Sequence, residues 1–71
     1  MPQNLSIPTD RELEILNLIA YEHTAKEISE KLFISIETVY SHRKNLISKL
    51  NVKNTAGLIR ISIEKGFLSV G

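Results

Sequence analysis

The sequence contains no cysteine, and this absence removes two kinds of stabilising chemistry together. Without thiols the chain can form neither a disulfide bond nor a thiolate metal site. Such a composition is compatible with a reducing compartment, and we expect a cytoplasmic protein. With 71 residues, of which 42% are apolar, the chain has room for one small domain that must be held together by well-packed elements.

Membrane-spanning and catalytic patterns are also absent from the sequence. No apolar run approaches the roughly 20 residues that cross a bilayer, and no signal-peptide pattern opens the chain. There is no glycine-rich phosphate loop and no nucleophile with a base nearby. The two histidines, His23 and His42, have no partners at metal-ligand spacing. We therefore predict a non-enzymatic protein without a metal, a cofactor, a small-molecule substrate or a membrane partner.

Apolar residues recur at helical spacing along most of the chain, and no strand pattern interrupts them. This periodicity predicts an all-α fold, a compact four-helix bundle with helices at about 9–21, 24–32, 35–50 and 54–65. Residues 1–8 lack periodicity and contain both prolines, so we interpret them as an N-terminal arm or linker remnant. The domain is then expected to occupy residues 9–71.

Helix starts are marked by residues that cap exposed backbone N–H groups. Thr9 with Glu12, and Thr24 with Glu27, have the spacing of capping boxes. Ser35 is a good N-cap for the third helix. The break of about three residues between the second and third helices gives the outline of a helix-turn-helix. Asn54 or Thr55 caps the fourth helix.

Helix ends are harder to assign because the chain has only three glycines. Gly66 is placed to close the last helix, and Asn51 is a plausible left-handed stop for the third. The first helix must end near Glu22, where no glycine is available. A left-handed Glu22 would cost about 1–2 kcal/mol.

The third predicted helix has two contrasting sides when its residues are plotted at about 100° each. Val39, Leu46 and Leu50 form a core stripe, with Ile36 beside it. A side of mixed hydrogen-bond donors and acceptors faces away from that stripe and suits the major groove of DNA. It comprises Glu37, Tyr40, Ser41, Lys44 and Ser48. One flank carries Thr38, His42, Asn45 and Lys49.

Charge is segregated along the chain. Residues 1–37 contain three basic and seven acidic side chains, a balance of −4. Residues 38–71 contain six basic side chains and one acidic one, a balance of +5. Because basic charge is concentrated from the third helix onward, a polyanionic partner is expected to dock there.

The fourth helix carries two apolar stripes. Leu58 and Ile61 suffice to dock it on the domain. The second stripe is either additional core or a self-association surface, and in so small a chain we favour a homodimer contact. It consists of Ala56, Ile59 and Ile63. The segment Phe67–Val70 is expected to fold back as a short apolar tail.

These segments resemble the LuxR-type DNA-binding domain, also called the GerE or NarL/FixJ type. The most specific part is the string T-V-x-x-H-x-x-N-L-x-x-K-L from Thr38 to Leu50. The similarity runs from Pro8 to Gly66 and rests on the segments Arg11–Ala20, Lys26–Ser35, Glu37–Leu50 and Val52–Asn54. It implies a transcription regulator whose second and third helices form the helix-turn-helix and whose fourth commonly dimerises. Such domains are often the C-terminal output of a response regulator, so an upstream regulatory domain is expected.

The resemblance also implies particular DNA contacts. Tyr40, Ser41 and Lys44 match base-facing positions, and Glu37 shares their side of the helix. Five residues match positions that usually meet backbone phosphates: Thr24, Lys26, Thr38, Lys49 and Asn54. For His42 we expect a local hydrogen bond at the edge of the third helix.

Four positions depart from the family pattern, which often has lysine at 40, glycine at 22, leucine at 8 and arginine at 55. They are Tyr40, Glu22, Pro8 and Thr55. The expected function is sequence-specific binding of double-stranded DNA as a homodimer on two half-sites. Two alternatives remain open, namely a helical protein-interaction module that has lost DNA binding and a promoter-reading domain like that of a sigma factor. The H-R-K-N-L string argues against the latter.

Overall fold

The structure is a computed structural model that describes residues 7–68. It contains four helices: α1 Asp10–Ala20, α2 Ala25–Leu32, α3 Ile36–Lys49 and α4 Thr55–Glu64. The all-α prediction is confirmed, and each predicted helix differs from the observed one by at most one residue at either end. Most of the predicted N-terminal arm lies outside the described residues, but Pro8 is buried against the domain.

The predicted caps define the helix starts. Thr9 and Glu12 form a complete capping box, and Thr24 and Glu27 form a second one. In the latter, the backbone N–H of Thr24 is the main influence that lowers the pKa of the Glu27 carboxyl. Ser35 caps α3. These contacts span three residues, so local sequence is enough to specify them.

Each of the four helices is followed, within two residues, by a residue with positive φ. The angles are 66° at Glu22, 58° at Phe33, 55° at Asn51 and 84° at Gly66. After α1, the N–H of Glu22 donates to the Ile19 carbonyl (2.9 Å), and the N–H of His23 donates to the Leu18 carbonyl, five residues back (3.1 Å). This is the hydrogen-bond pattern of a Schellman motif. The left-handed residues at 22, 51 and 66 were expected from the sequence, whereas the one at Phe33 was not.

Replacing Glu22 with glycine should stabilise the domain. Glycine removes the left-handed strain but adds unfolded-state entropy, so the expected net gain is about 0.5–1 kcal/mol. A thermal melt should then shift upward by roughly 2–8 °C. The same change at Glu30, an exposed residue inside α2, is the matched control and should lower stability by about 1 kcal/mol. Equal destabilisation by both changes would contradict the prediction.

The core consists of two clusters that share α1 and α3. Leu16, Leu46, Leu50 and Leu58 form the first, and Ile15, Ile28 and Val39 form the second. Because the adjacent residues Ile15 and Leu16 belong to different clusters, α1 is packed on two sides, as its broad apolar stripe predicts. Helix α3 contacts each of the other helices and forms the centre of the domain.

The residues that follow α4 close the first cluster. Phe67 and Leu68 pack against it, consistent with the expected apolar tail, while residues 69 and 70 of that tail lie outside the described residues. Ile59 and Ile61 of α4 also pack against this cluster. Helix α4 therefore uses part of both predicted stripes to dock on α3. No helix in the range 7–68 is long and apolar enough to cross a membrane.

Candidate nucleic-acid interface

Helix α3 presents a continuous polar side to solvent because its opposite side is held in the core. Val39 and Leu46 are almost completely buried, and Leu50 is 8% exposed. Tyr40 is 46% exposed. The exposed side of α3 contains all four predicted base-facing residues: Glu37, Tyr40, Ser41 and Lys44. The structure thus brings these four side chains together on one rigid element.

Three of the predicted phosphate-contacting residues lie at helix N-termini. The Thr24 hydroxyl accepts from the Glu27 N–H (3.1 Å), and the Asn54 Oδ1 accepts from the Gly57 N–H (3.0 Å). The Thr38 hydroxyl lies 2.8 Å from that of the cap residue Ser35. Helix N-termini offer free N–H groups and partial positive charge to a phosphate. Lys26, in the first turn of α2, is exposed.

Lys49, the remaining predicted phosphate contact, has a different environment. Its ammonium donates to Glu12 Oε1 at 2.7 Å, and the Ile7 carbonyl oxygen lies 3.5 Å away. The Lys49 side chain is 17% exposed and that of Glu12 only 4%. The Lys49 charge is therefore already balanced by a buried carboxylate, with which a DNA phosphate would have to compete.

Glu12 is a buried acid supported from several directions. Besides the Lys49 ammonium, it accepts the Thr9 N–H at 3.0 Å through the capping box. Burial by itself would raise the pKa of Glu12, but the hydrogen bonds from Lys49 and Thr9 and the Lys49 charge outweigh it and hold the pKa below its usual value. His42 Nδ1 lies 4.0 Å from Glu12 Oε2.

The local hydrogen bond expected for His42 is not found at Nδ1. This atom is buried, and no described residue gives it a hydrogen-bond partner. The imidazole faces α1 instead of a neighbouring turn of its own helix. Sequence spacing could not reveal this, because Glu12 and His42 are brought together only by packing of α1 against α3.

Arg43 is a further residue of this surface, and it is not among the predicted DNA contacts. Its guanidinium carbon lies 5.1 Å from the centre of the Tyr40 ring, within the range of a cation–π contact. The two residues are three apart on α3, a spacing that places side chains on the same side of a helix. This spacing was the available signal for pairing them.

The predicted dimer stripe on α4 is only partly exposed. Ala56 is exposed and Ile63 is 39% exposed, while Ile59 is half-buried against the core. Beside the stripe, Arg60 pairs with Glu64 at 3.2 Å. The outward part of the stripe is therefore Ala56 and Ile63.

Comparison with known proteins identifies the kind of domain to which this surface belongs. Residues 6–62 match the family model described as bacterial regulatory proteins, luxR family. The chain belongs to the LuxR family. The predicted resemblance is thereby confirmed, and the exposed side of α3 lies in the helix-turn-helix of a LuxR domain.

Two bacterial regulators are similar to this chain over most of its length. The chain is 45% identical over 62 residues to the oxygen regulatory protein NreC of Staphylococcus carnosus. It is 48% identical over 61 residues to the transcriptional regulatory protein MctR of Rhizobium johnstonii. These alignments cover 87% and 86% of this chain but only 29% and 28% of the relatives. The chain thus spans less than a third of the length of the regulators it matches.

Proposed function

We propose that this LuxR domain binds specific sequences of double-stranded DNA, with α3 in the major groove. The observation that carries the proposal is the exposed polar side of α3, supported by an apolar back that is almost fully buried. A helix anchored in this way keeps its outward side chains in register with base edges. The base-facing set is Glu37, Tyr40, Ser41 and Lys44.

Backbone contacts would fix the orientation of the domain on the duplex. We assign them to the helix N-termini at Thr24, Thr38 and Asn54 and to the ammonium of Lys26. Lys49 belongs to the same set because its ammonium has three N–H donors and the hydrogen bond to Glu12 Oε1 uses one of them. The ammonium of Lys26 and the helix N-termini would then supply phosphate contacts that position the base-facing side chains.

The domain is further proposed to act as a homodimer on two half-sites, through the outward part of the α4 stripe. An upstream regulatory domain is proposed because the chain covers so small a share of its relatives. In a closed twofold dimer the two copies of α3 would meet successive major grooves, which fixes the spacing of the half-sites.

Selection of bound duplexes from a random pool, followed by titration at several salt concentrations, tests the proposal. Affinity should fall linearly on a log–log salt plot, because phosphate contacts release counterions. Lys44→Ala should weaken the selected site by about 1–3 kcal/mol and relax specificity at one position. Lys65→Ala, which changes an exposed lysine at the C-terminus of α4, is the control and should change affinity little. Absence of any salt-sensitive DNA binding would contradict the proposal and favour a protein-interaction module.

The dimer is tested separately with Ile63→Glu. A charge in the outward part of the α4 stripe should lower self-association measured by analytical ultracentrifugation and weaken binding to paired half-sites. Affinity for a single half-site should remain unchanged. Ile7→Glu, which alters a more exposed isoleucine outside α4, is the control. Equal effects of the two changes would argue against an α4 interface.

A further inference from the structure

Arg43 is a half-buried cation on α3. Among residues 7–68, no carboxylate lies within ion-pairing distance of its guanidinium, whereas Arg11, Lys49 and Arg60 each have one. Its guanidinium carbon lies 5.1 Å from the centre of the Tyr40 ring. Charged groups that lose solvent are normally paired. This leaves the hydrogen-bond donors of Arg43 available at the edge of the exposed side of α3.

The two flanks of that exposed side differ in the charge they offer. On one flank, the Lys49 ammonium is bound to the buried Glu12 carboxylate. On the other, helical spacing places Arg43 between Ile36 and Ile47, both half-buried. The aliphatic stem of an arginine can cover such apolar neighbours while its head stays in water. Arg43 is therefore the cation available on the Ile36 and Ile47 flank.

We infer that Tyr40 and Arg43 act as one DNA-reading unit, an inference that rests on the proposed function. The Tyr40 ring is the positioning group, and the Arg43 guanidinium makes the contact. A guanidinium stacked by its face keeps the N–H donors along its edge directed outward. The acceptors it fits are paired oxygen or nitrogen atoms at fork spacing, provided either by a guanine edge or by a backbone phosphate.

Contact with the Tyr40 ring would also reduce the conformational entropy that the Arg43 side chain loses when it binds DNA. A free arginine side chain occupies many rotamers, and ordering it at an interface weakens association. A ring that restricts the guanidinium before DNA arrives would make binding depend on both residues, so removing the ring should impair Arg43 even though its charge remains. This distinguishes a coupled pair from two independent contacts.

A double-mutant cycle on DNA affinity tests the coupling with the full chain and the duplex selected above. Arg43→Ala should weaken binding about tenfold, within the range for a specific arginine contact. Tyr40→Leu should weaken it by a comparable factor, and the double variant should be no weaker than either single one by more than about twofold. Tyr40→Phe, which retains the ring, should bind nearly as the parent does. Multiplying losses in the double variant, or unchanged binding by Arg43→Ala, would overturn the inference.

Further measurements separate the two acceptors and guard against trivial loss of folding. If guanine is the acceptor, Arg43→Ala relaxes specificity at one base pair, and Arg43→Lys, which keeps the charge but not the fork, behaves similarly. If phosphate is the acceptor, all sequences lose affinity alike, the salt slope falls by about one, and Arg43→Lys retains most of the binding. Either pattern supports the pair, while melting curves identify any variant that fails to fold.

Failure of this inference differs from failure of the proposed function. If the parent chain shows no salt-sensitive affinity for DNA, both fall. If the parent binds and Lys44→Ala weakens binding, but Arg43→Ala does not, the LuxR domain still reads DNA and only the role of Arg43 is rejected.

Discussion

Lys49→Met should lower the free energy of unfolding by about 3 kcal/mol, because breaking a buried ion pair leaves an uncompensated charge in the interior. The residue left behind is Glu12, whose side chain is 4% exposed and would keep only the Thr9 N–H as a hydrogen-bond donor. For a domain of this size the melting temperature should fall by roughly 12–24 °C. Chemical denaturation monitored by circular dichroism gives the free energy directly.

The matched control for this change is Lys44→Met. Lys44 lies on the same helix and is exposed, so its replacement should alter stability by no more than about 0.5 kcal/mol. Adding Glu12→Gln to Lys49→Met should restore part of the loss, because glutamine still accepts the Thr9 N–H but carries no charge. Equal stability of the two methionine variants would show that the Glu12–Lys49 pair contributes nothing.

The same pair should make the domain sensitive to acid. The folded-state pKa of Glu12 is lowered, so its contribution to stability is fully present above about 4.5, the ordinary value for a glutamate, and is lost as the pH falls through the lower folded-state value. Unfolding curves of the parent chain should therefore show that the free energy of unfolding decreases as the pH is lowered through this window. The Glu12→Gln variant should show a smaller decrease.

Leu46→Ala should lower the free energy of unfolding by about 3–5 kcal/mol, since it removes methyl groups from a fully buried site and leaves a cavity. A domain of this length has roughly 4–10 kcal/mol in total, so the loss would take a large fraction of its stability. DNA binding should weaken as well, because the back of α3 would no longer be fully anchored.

Leu13→Ala is the matched control for Leu46→Ala. Leu13 packs against the same cluster but is only half-buried, so its truncation should cost clearly less. Comparing the two by denaturant unfolding tests whether the first cluster is centred on α3. A loss at Leu13 as large as that at Leu46 would contradict that arrangement.

Local sequence determined the helices and the sides they expose. Each cap at Thr9, Thr24, Ser35 and Asn54 satisfies an N–H three residues away. The helical spacing of apolar residues on α3 fixes its buried and exposed sides. Such signals extend over one or two turns, which is why they could be recognised without coordinates. The family resemblance rests on the same segments.

Only the tertiary structure decided which charged side chains of α3 are paired within the domain. The bond between Glu12 and Lys49 joins residues 37 apart in the chain, and no local pattern distinguishes a lysine that meets a carboxylate from one that meets solvent. His42 turned toward Glu12 for the same reason. The sequence thus determined which side chains line α3, whereas the packing of α1 against α3 decided which of its cations are free, because pairing between distant residues depends on how helices meet.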